Sequence, residues 1–229
     1  TGGAMGLGKD DCEALAREGA TVIVTDREVE LAHKVADAIG GDAMALDVTS
    51  EEQWIEVMRA VKERHGGLDI LVNNAAVGGL TLLPDMADDD IDQFLFVNVR
   101  AMILATREAI AVMPSGGRII NIGSVNADRV PGPGVSVYAL TKGAVSSFTR
   151  GLARELGPRG ITVNNVQPGP IDTDMNPDEG DFAESLKEIV ALGRYGRTAD
   201  VAAVVSFLAG PEAAYVTGAN LNVDGGFTI

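Results

Sequence analysis

The chain has 229 residues, 46% of them hydrophobic, and 28 glycines, enough for one domain with a substantial core and many tight turns. A formal charge of −15 at pH 7 and a pI near 4.4 set long-range repulsion against nucleic acid and anionic membranes, with no basic cluster to offset it. A single cysteine, Cys12, excludes an internal disulfide, and neither His33 nor His65 has metal-like or triad-like neighbours in sequence, so metal-free chemistry is expected. No apolar run reaches membrane-spanning length and no signal peptide precedes the first motif, which makes a cytoplasmic address the expectation.

The opening run Thr1-Gly2-Gly3-Ala4-Met5-Gly6-Leu7-Gly8 predicts a tight turn leading into a helix near Gly8. Apolar runs bounded by turn residues then predict strands at Thr21–Asp26, Ala43–Asp47, Ile70–Asn73, Arg118–Gly123, Thr162–Val166 and Asn220–Val223, with helices between them. Val22-Ile23-Val24 and Ile70-Leu71-Val72 are continuously apolar rather than alternating, as expected of strands covered on both faces. The reading is an α/β protein: a three-layer, doubly wound Rossmann fold with a mainly parallel sheet, in one domain spanning 1–229. Such a glycine turn ordinarily follows a central strand, so roughly ten further residues before Thr1 are expected, and the first strand is absent from the sequence in hand. Asp11, just inside the first helix, falls in a slot that would face the core.

Tyr138 and Lys142 lie four apart on a predicted helix, on one face, where an ammonium beside a phenol favours its ionisation. With three tyrosines and 18 Lys plus Arg in the chain, such a pair is an accident expected roughly one time in four, so its weight comes from its neighbours. Those neighbours are the glycine turn, Asn73-Asn74-Ala75-Ala76 after an apolar run, Asn98 within a long helix, Gly123-Ser124 after another run, and Pro168-Gly169-Pro170-Ile171-Asp172-Thr173 beyond the tyrosine helix.

In that order these elements resemble the short-chain dehydrogenase/reductase family, from Thr1 to Val223-Asp224-Gly225-Gly226. The stretches from Gly117 to Asn126 and from Gln167 to Asp174 are similar to the branch holding 3-oxoacyl-carrier-protein-reductase-like enzymes and cyclic-di-GMP-binding biofilm dispersal mediators. The resemblance implies a catalytic set of Asn98, Ser124, Tyr138 and Lys142. Tyr138 would be the acid/base, Ser124 a donor to the substrate oxygen, and Lys142 the depressor of the phenol pKa and a partner of the nicotinamide ribose. Asn98 would bend its helix and hold a water in the relay to the lysine.

It also implies a dinucleotide site. Gly2, Gly6, Leu7 and Gly8 would surround the pyrophosphate, and Asp47 with Val48 the adenine, unless Asp47 merely caps the helix starting near Ser50. Asn74 would lie where the cofactor passes, Tyr138 and Lys142 at the nicotinamide ribose, and Pro168, Gly169, Ile171 and Thr173 at the carboxamide. Asp26, 18 positions after Gly8, fits the roughly 20 expected of a carboxylate that binds ribose hydroxyls and repels a 2′-phosphate. That favours NAD, with NADP possible through Arg27. A short lid at 174–195, carrying Met175, Phe182 and Leu186, would cover a small-molecule alcohol or ketone substrate. The competing expectation is a nucleotide-binding regulator of the cyclic-di-GMP dispersal-mediator type with incidental turnover. Apolar residues on more than one stripe of the helices at 90–113 and 136–156, including Phe94, Met102, Val145 and Phe148, predict a homotetramer.

Overall fold

The computed structural model describes all residues, Thr1–Ile229. In chain order it runs α1 (Gly6–Arg17), β1 (Ile23–Asp26), α2 (Val29–Ile39), β2 (Asp42–Ala45), α3 (Glu51–His65), β3 (Ile70–Asn73), α4 (Asp88–Leu95), α5 (Ala101–Val112), β4 (Arg118–Ile122), α6 (Ser136–Leu156), β5 (Thr162–Pro168), α7 (Gly180–Lys187), α8 (Thr198–Ala209) and β6 (Asn220–Val223). All pairings are parallel: β3-β4-β5-β6 form one sheet and β1-β2 a second.

Successive residues of a strand point to opposite faces, and both faces here meet helices. Ile119 of β4 and Val163 of β5 pack with Trp54 and Val61 of α3, Ala109 of α5 and Leu152 of α6. Ile120 and Val166, of opposite parity, pack with Val201, Val205 and Leu208 of α8. That two-sided burial is the physical origin of the unbroken apolar runs. Leu15 of α1 joins Val24 of β1 and Ala32, Val35 and Ala36 of α2 in a third cluster.

Between β1 and β3 the sheet has a gap, at the place of the central strand that the sequence reading expects before Thr1. Only the first residues of the chain tie the two edges: the Gly3 N–H donates to the Thr25 carbonyl at 3.2 Å and the Thr1 ammonium to the Val72 carbonyl at 3.0 Å. Beyond them lies a groove of about 500 Å³ lined by Val22 and Thr25, Leu71 and Val72, and Asp11 and Cys12. Asp11 is 2% exposed and neither carboxylate oxygen has a hydrogen-bond partner, so burial pushes its pKa up to about 7.

Two expected elements are corrected. The strand expected at Ala43–Asp47 is Asp42–Ala45, because the Asp47 side chain accepts from the Thr49 N–H at 2.9 Å and hydroxyl at 2.7 Å, forming a local turn instead of extending the ladder. The long helix expected near 90–113 begins at Asp88 and is broken by a π-helical turn at Phe96–Arg100. The helix at Ser136–Leu156 has the predicted bounds. Of the apolar residues named for these helices, Phe94, Met102 and Val145 are buried in the fold and Phe148 is partly buried against its core; the large exposed ones are Leu95, Phe96, Ile103 and Leu140.

Candidate active site

The glycine turn is built for close approach. A Cβ on Gly8 would sit 2.1 Å from the Gly2 carbonyl oxygen, so no other residue fits there, whereas one on Gly6 would meet nothing within 4 Å. Gly6 has φ +54°, a conformation that favours glycine. No side chain caps the N-terminus of α1 and no acidic residue lies in its first turn, leaving the N–H groups around Gly6, Leu7 and Gly8 for an anion. Asn74 braces the turn from β3, its Nδ2 donating to the Thr1 carbonyl at 3.0 Å and to the Gly2 carbonyl at 3.1 Å. These features suit a dinucleotide pyrophosphate.

Asp26 ends β1 beside this turn, and its two oxygens accept from the Ala4 N–H at 3.1 Å and the Glu28 N–H at 3.0 Å. The carboxylate thus fixes the turn from below. Asp47 makes the local turn ahead of α3, whose N-cap is Ser50, accepting from the Gln53 N–H at 3.3 Å. The cap raised as the alternative for Asp47 is thus made by Ser50, and the second Asp47 oxygen has no partner within the chain. Val48 turns inward, its carbonyl accepting from the Trp54 Nε1 at 2.9 Å.

At the carboxyl ends of β4 and β5 the remaining predicted residues converge. Gly123 admits no side chain, because its Cβ would meet Asn165 Oδ1 at 2.5 Å, so the chain leaves β4 close against β5 and presents Ser124 at the crevice. Ser124 shares this crevice with Tyr138 of the first turn of α6 and pulls the phenol pKa down, while its hydroxyl accepts from the Asn126 N–H at 3.1 Å. Phe94 meets the Tyr138 ring edge-on, with centroids 6.3 Å apart. One turn along α6, buried Lys142 donates from Nζ to the Ile122 carbonyl at 3.0 Å and lies 5.6 Å from the Tyr138 ring centroid.

Asn98 explains the π turn. Its Oδ1 accepts from the Val77 N–H at 2.8 Å, while its Nδ2 donates to the Val77 carbonyl at 2.8 Å and to Thr141 Oγ1 at 3.2 Å. A buried amide with every group satisfied ties the α4–α5 break to the end of β3 and to α6 between Tyr138 and Lys142. A void of about 20 Å³, room for one water, lies between Asn98, Asn73 and Lys142.

Burial governs both titrating groups. It brings Lys142 down to about 8, and it raises the Tyr138 phenol above its ordinary value despite Ser124 pulling the other way. In the chain by itself desolvation therefore sets the direction for Tyr138; the lowering expected of Lys142 is one exerted jointly with an oxidised nicotinamide.

On the far wall, Gly169 packs where a Cβ would lie 2.7 Å from Asp224 and donates its N–H to the Val223 carbonyl at 3.0 Å, just past Pro168, the last residue of β5, and ahead of Pro170. The backbone N–H and C=O of Ile171 make no hydrogen bond within the chain, and the partly exposed Thr173 hydroxyl accepts only from the Asn176 N–H at 3.2 Å. Both can address a carboxamide. Met175, Phe182 and Leu186 line a cleft of about 300 Å³ above Ser124 and Tyr138.

The sequence reading missed Gly78, Leu80, Val135 and Phe227 in that cleft. It also missed Gln167, whose Nε2 donates to Asp128 Oδ2 at 2.6 Å and so anchors the loop after Ser124 to β5. The available signal was a lone glutamine in an otherwise buried strand, which needs partners.

This arrangement defines a class. Residues 2–228 match the family model described as enoyl-(acyl carrier protein) reductase. Over 227 residues the chain is 43% identical to the cyclic-di-GMP-binding biofilm dispersal mediator protein of Escherichia coli, covering 99% of this chain and 94% of that one. It is 39% identical over 238 residues to cyclopentanol dehydrogenase of Comamonas, covering 100% and 95%. A short-chain dehydrogenase from Burkholderia cenocepacia, solved in complex with NADP, superposes with a TM-score of 0.96 at 44% identity, covering 100% of this chain and 96% of the other. The chain belongs to the short-chain dehydrogenase/reductase family, an oxidoreductase family that works with a nicotinamide cofactor. No helix of the fold is long and apolar enough to cross a membrane.

Proposed function

We propose that the protein interconverts a secondary alcohol and a ketone at the Ser124–Tyr138–Lys142 crevice. The observation that carries this reading is the convergence of Ser124 and Tyr138 on one cleft, with buried Lys142 one helical turn from Tyr138, at the carboxyl ends of β4 and β5. A bound nicotinamide supplies or accepts the hydride. Ser124 donates to the substrate oxygen and orients it. Tyr138, kept protonated at neutral pH by its burial, hands a proton to the oxygen as carbonyl becomes alcohol and takes it back in the reverse direction. Lys142 places positive charge beneath the phenol, and Asn98 fixes the helix break that holds Tyr138 and Lys142 in register.

Asp26 supports NAD over NADP: its carboxylate stands beside the glycine turn, where it repels a 2′-phosphate, while Arg27 points into solvent toward Glu28 at 4.0 Å. The NADP-bound relative makes the opposite preference the outcome to exclude. Exposed Phe96, Ile103 and Leu140 on the α4–α5 and α6 faces support a homotetramer, and light scattering giving a mass near the monomeric 23.8 kDa would exclude it. The lone thiol and the nicotinamide chemistry fit a cytoplasmic setting.

The regulator reading draws on the identity to the dispersal mediator. Against it stands the crevice itself, in which no Lys, Arg or His side chain lines the cleft to receive two phosphates. Screening ketones and secondary alcohols with each nicotinamide at 340 nm tests the proposal: turnover sustains it, and cyclic-di-GMP binding without turnover of any of them overturns it.

A further inference from the structure

The cleft beside Tyr138 has an unusual combination of walls. Leu80, Val135, Met175, Phe182, Leu186 and Phe227 surround it, and none of its lining residues is Asp, Glu, Lys, Arg or His. Nearby charge is mostly negative: Asp174, Asp178, Glu179, Asp181, Glu184 and Glu188 populate the lid, its Lys187 is engaged by Asp178 at 2.6 Å and Glu184 at 2.8 Å, its Arg194 faces Asp200 at 3.7 Å, and Arg129 behind Phe227 donates to the Phe227 and Ile229 carbonyls. A substrate carrying a carboxylate or phosphate would lose its hydration among apolar side chains with no counter-charge, after approaching through an acidic rim.

One contact sets the size of the space. A Cβ built on Gly78 would lie 3.1 Å from the Met175 sulfur and 3.8 Å from Tyr138 Cε2, so the thioether reaches from the lid across to the opposite wall, beside the reacting phenol. Met175 is nevertheless 64% exposed, so it closes the cleft from the solvent side rather than filling the core. An unbranched thioether in that position is a movable wall. Gly78 makes it possible by leaving no side chain in the way.

Resting on the oxidoreductase reading above, we propose that the site selects compact, uncharged, apolar ketones and the matching alcohols, and that Met175 seated against Gly78 sets the upper size limit. Four probes separate charge from size: acetophenone, its carboxylated analogue 4-acetylbenzoate, 2-acetylnaphthalene, and a small aliphatic ketone. Wild type should favour acetophenone over 4-acetylbenzoate by about a hundredfold or more in kcat/KM, the scale of burying an unpaired charge. Met175→Ala should raise kcat/KM for 2-acetylnaphthalene about tenfold relative to the aliphatic ketone, the range expected when a few methylene-sized groups are removed from an apolar wall. Gly78→Ala, which presses on the thioether, should move the limit the other way. Equal efficiency toward acetophenone and 4-acetylbenzoate, or an unchanged size profile in both variants, overturns the inference and leaves the oxidoreductase reading intact. No turnover of any probe with either nicotinamide removes that reading and this inference together.

Discussion

Replacing Asp11 by Asn isolates the cost of a charge that the fold buries without a partner. In the chain that begins at Thr1, to which this prediction applies, the carboxylate is 2% exposed, faces the gap between β1 and β3, has no donor on either oxygen, and feels only the Thr1 ammonium as a favourable charge. Its folded pKa is about 7 against an ordinary 3.8. The unfolded chain therefore releases this proton near pH 4 while the folded chain holds it to about pH 7. Stability from this group is full below pH 3.8 and is lost as pH rises through that window. A difference of about 3 pK units at about 1.36 kcal/mol each is a loss of about 4 kcal/mol of stability, complete at pH 8 and nearly absent at pH 4. Asn is close in shape and leaves an equally unpartnered amide, so only the ionisation is removed. Urea unfolding of both proteins at fixed protomer concentration should show the variant about 4 kcal/mol more stable at pH 8, with most of that gain gone at pH 4. A gain below about 1 kcal/mol at pH 8, or one independent of pH, would mean that a counter-charge or water satisfies the carboxylate and that the reasoning fails.

Two further outcomes bear on the cofactor and the proton donor. Asp26→Asn keeps an acceptor for the turn but removes the charge, and should lower the NAD-to-NADP ratio of kcat/KM by about tenfold or more, mainly by improving NADP; a wild type that prefers NADP moves the role to Arg27. Lys142→Met removes an ammonium 5.6 Å from the Tyr138 ring centroid. At an effective dielectric constant of about 20 that charge is worth about 3 kcal/mol, so the basic pKa in the pH profile of alcohol oxidation should rise by about 2 units. An unmoved profile would detach Lys142 from the phenol.

The fold was legible wherever burial leaves a mark in sequence. Ile70-Leu71-Val72 read as a strand covered twice because helices do lie on both its faces, and β3 and β6 keep their predicted ends. Where a side chain competes with the backbone, the reading slipped. Asp47 ends its strand early by folding back on Thr49, and the amide of Asn98 turns one expected helix into two around a π turn. The motif residues were legible because their chemistry is local and ordered along the chain: Ser124, Tyr138 and Lys142 do meet. The direction of the Tyr138 pKa was not, since desolvation depends on what covers the ring, Phe94 among others, and those neighbours come from distant segments. Gly78 and Phe227 were missed for the same reason: nothing in their local sequence says that both approach one crevice with the lid.

The central claim is that the Tyr138 hydroxyl moves the proton. Tyr138→Phe removes that oxygen and leaves the ring against Phe94, so measuring kcat with a reactive ketone alongside dinucleotide affinity tests it most directly. The predicted result is a fall in kcat of about 10²–10⁴-fold with cofactor affinity nearly unchanged. Retention of more than about a tenth of kcat, with chemistry rate-limiting, would contradict the assignment of Tyr138 as the acid/base.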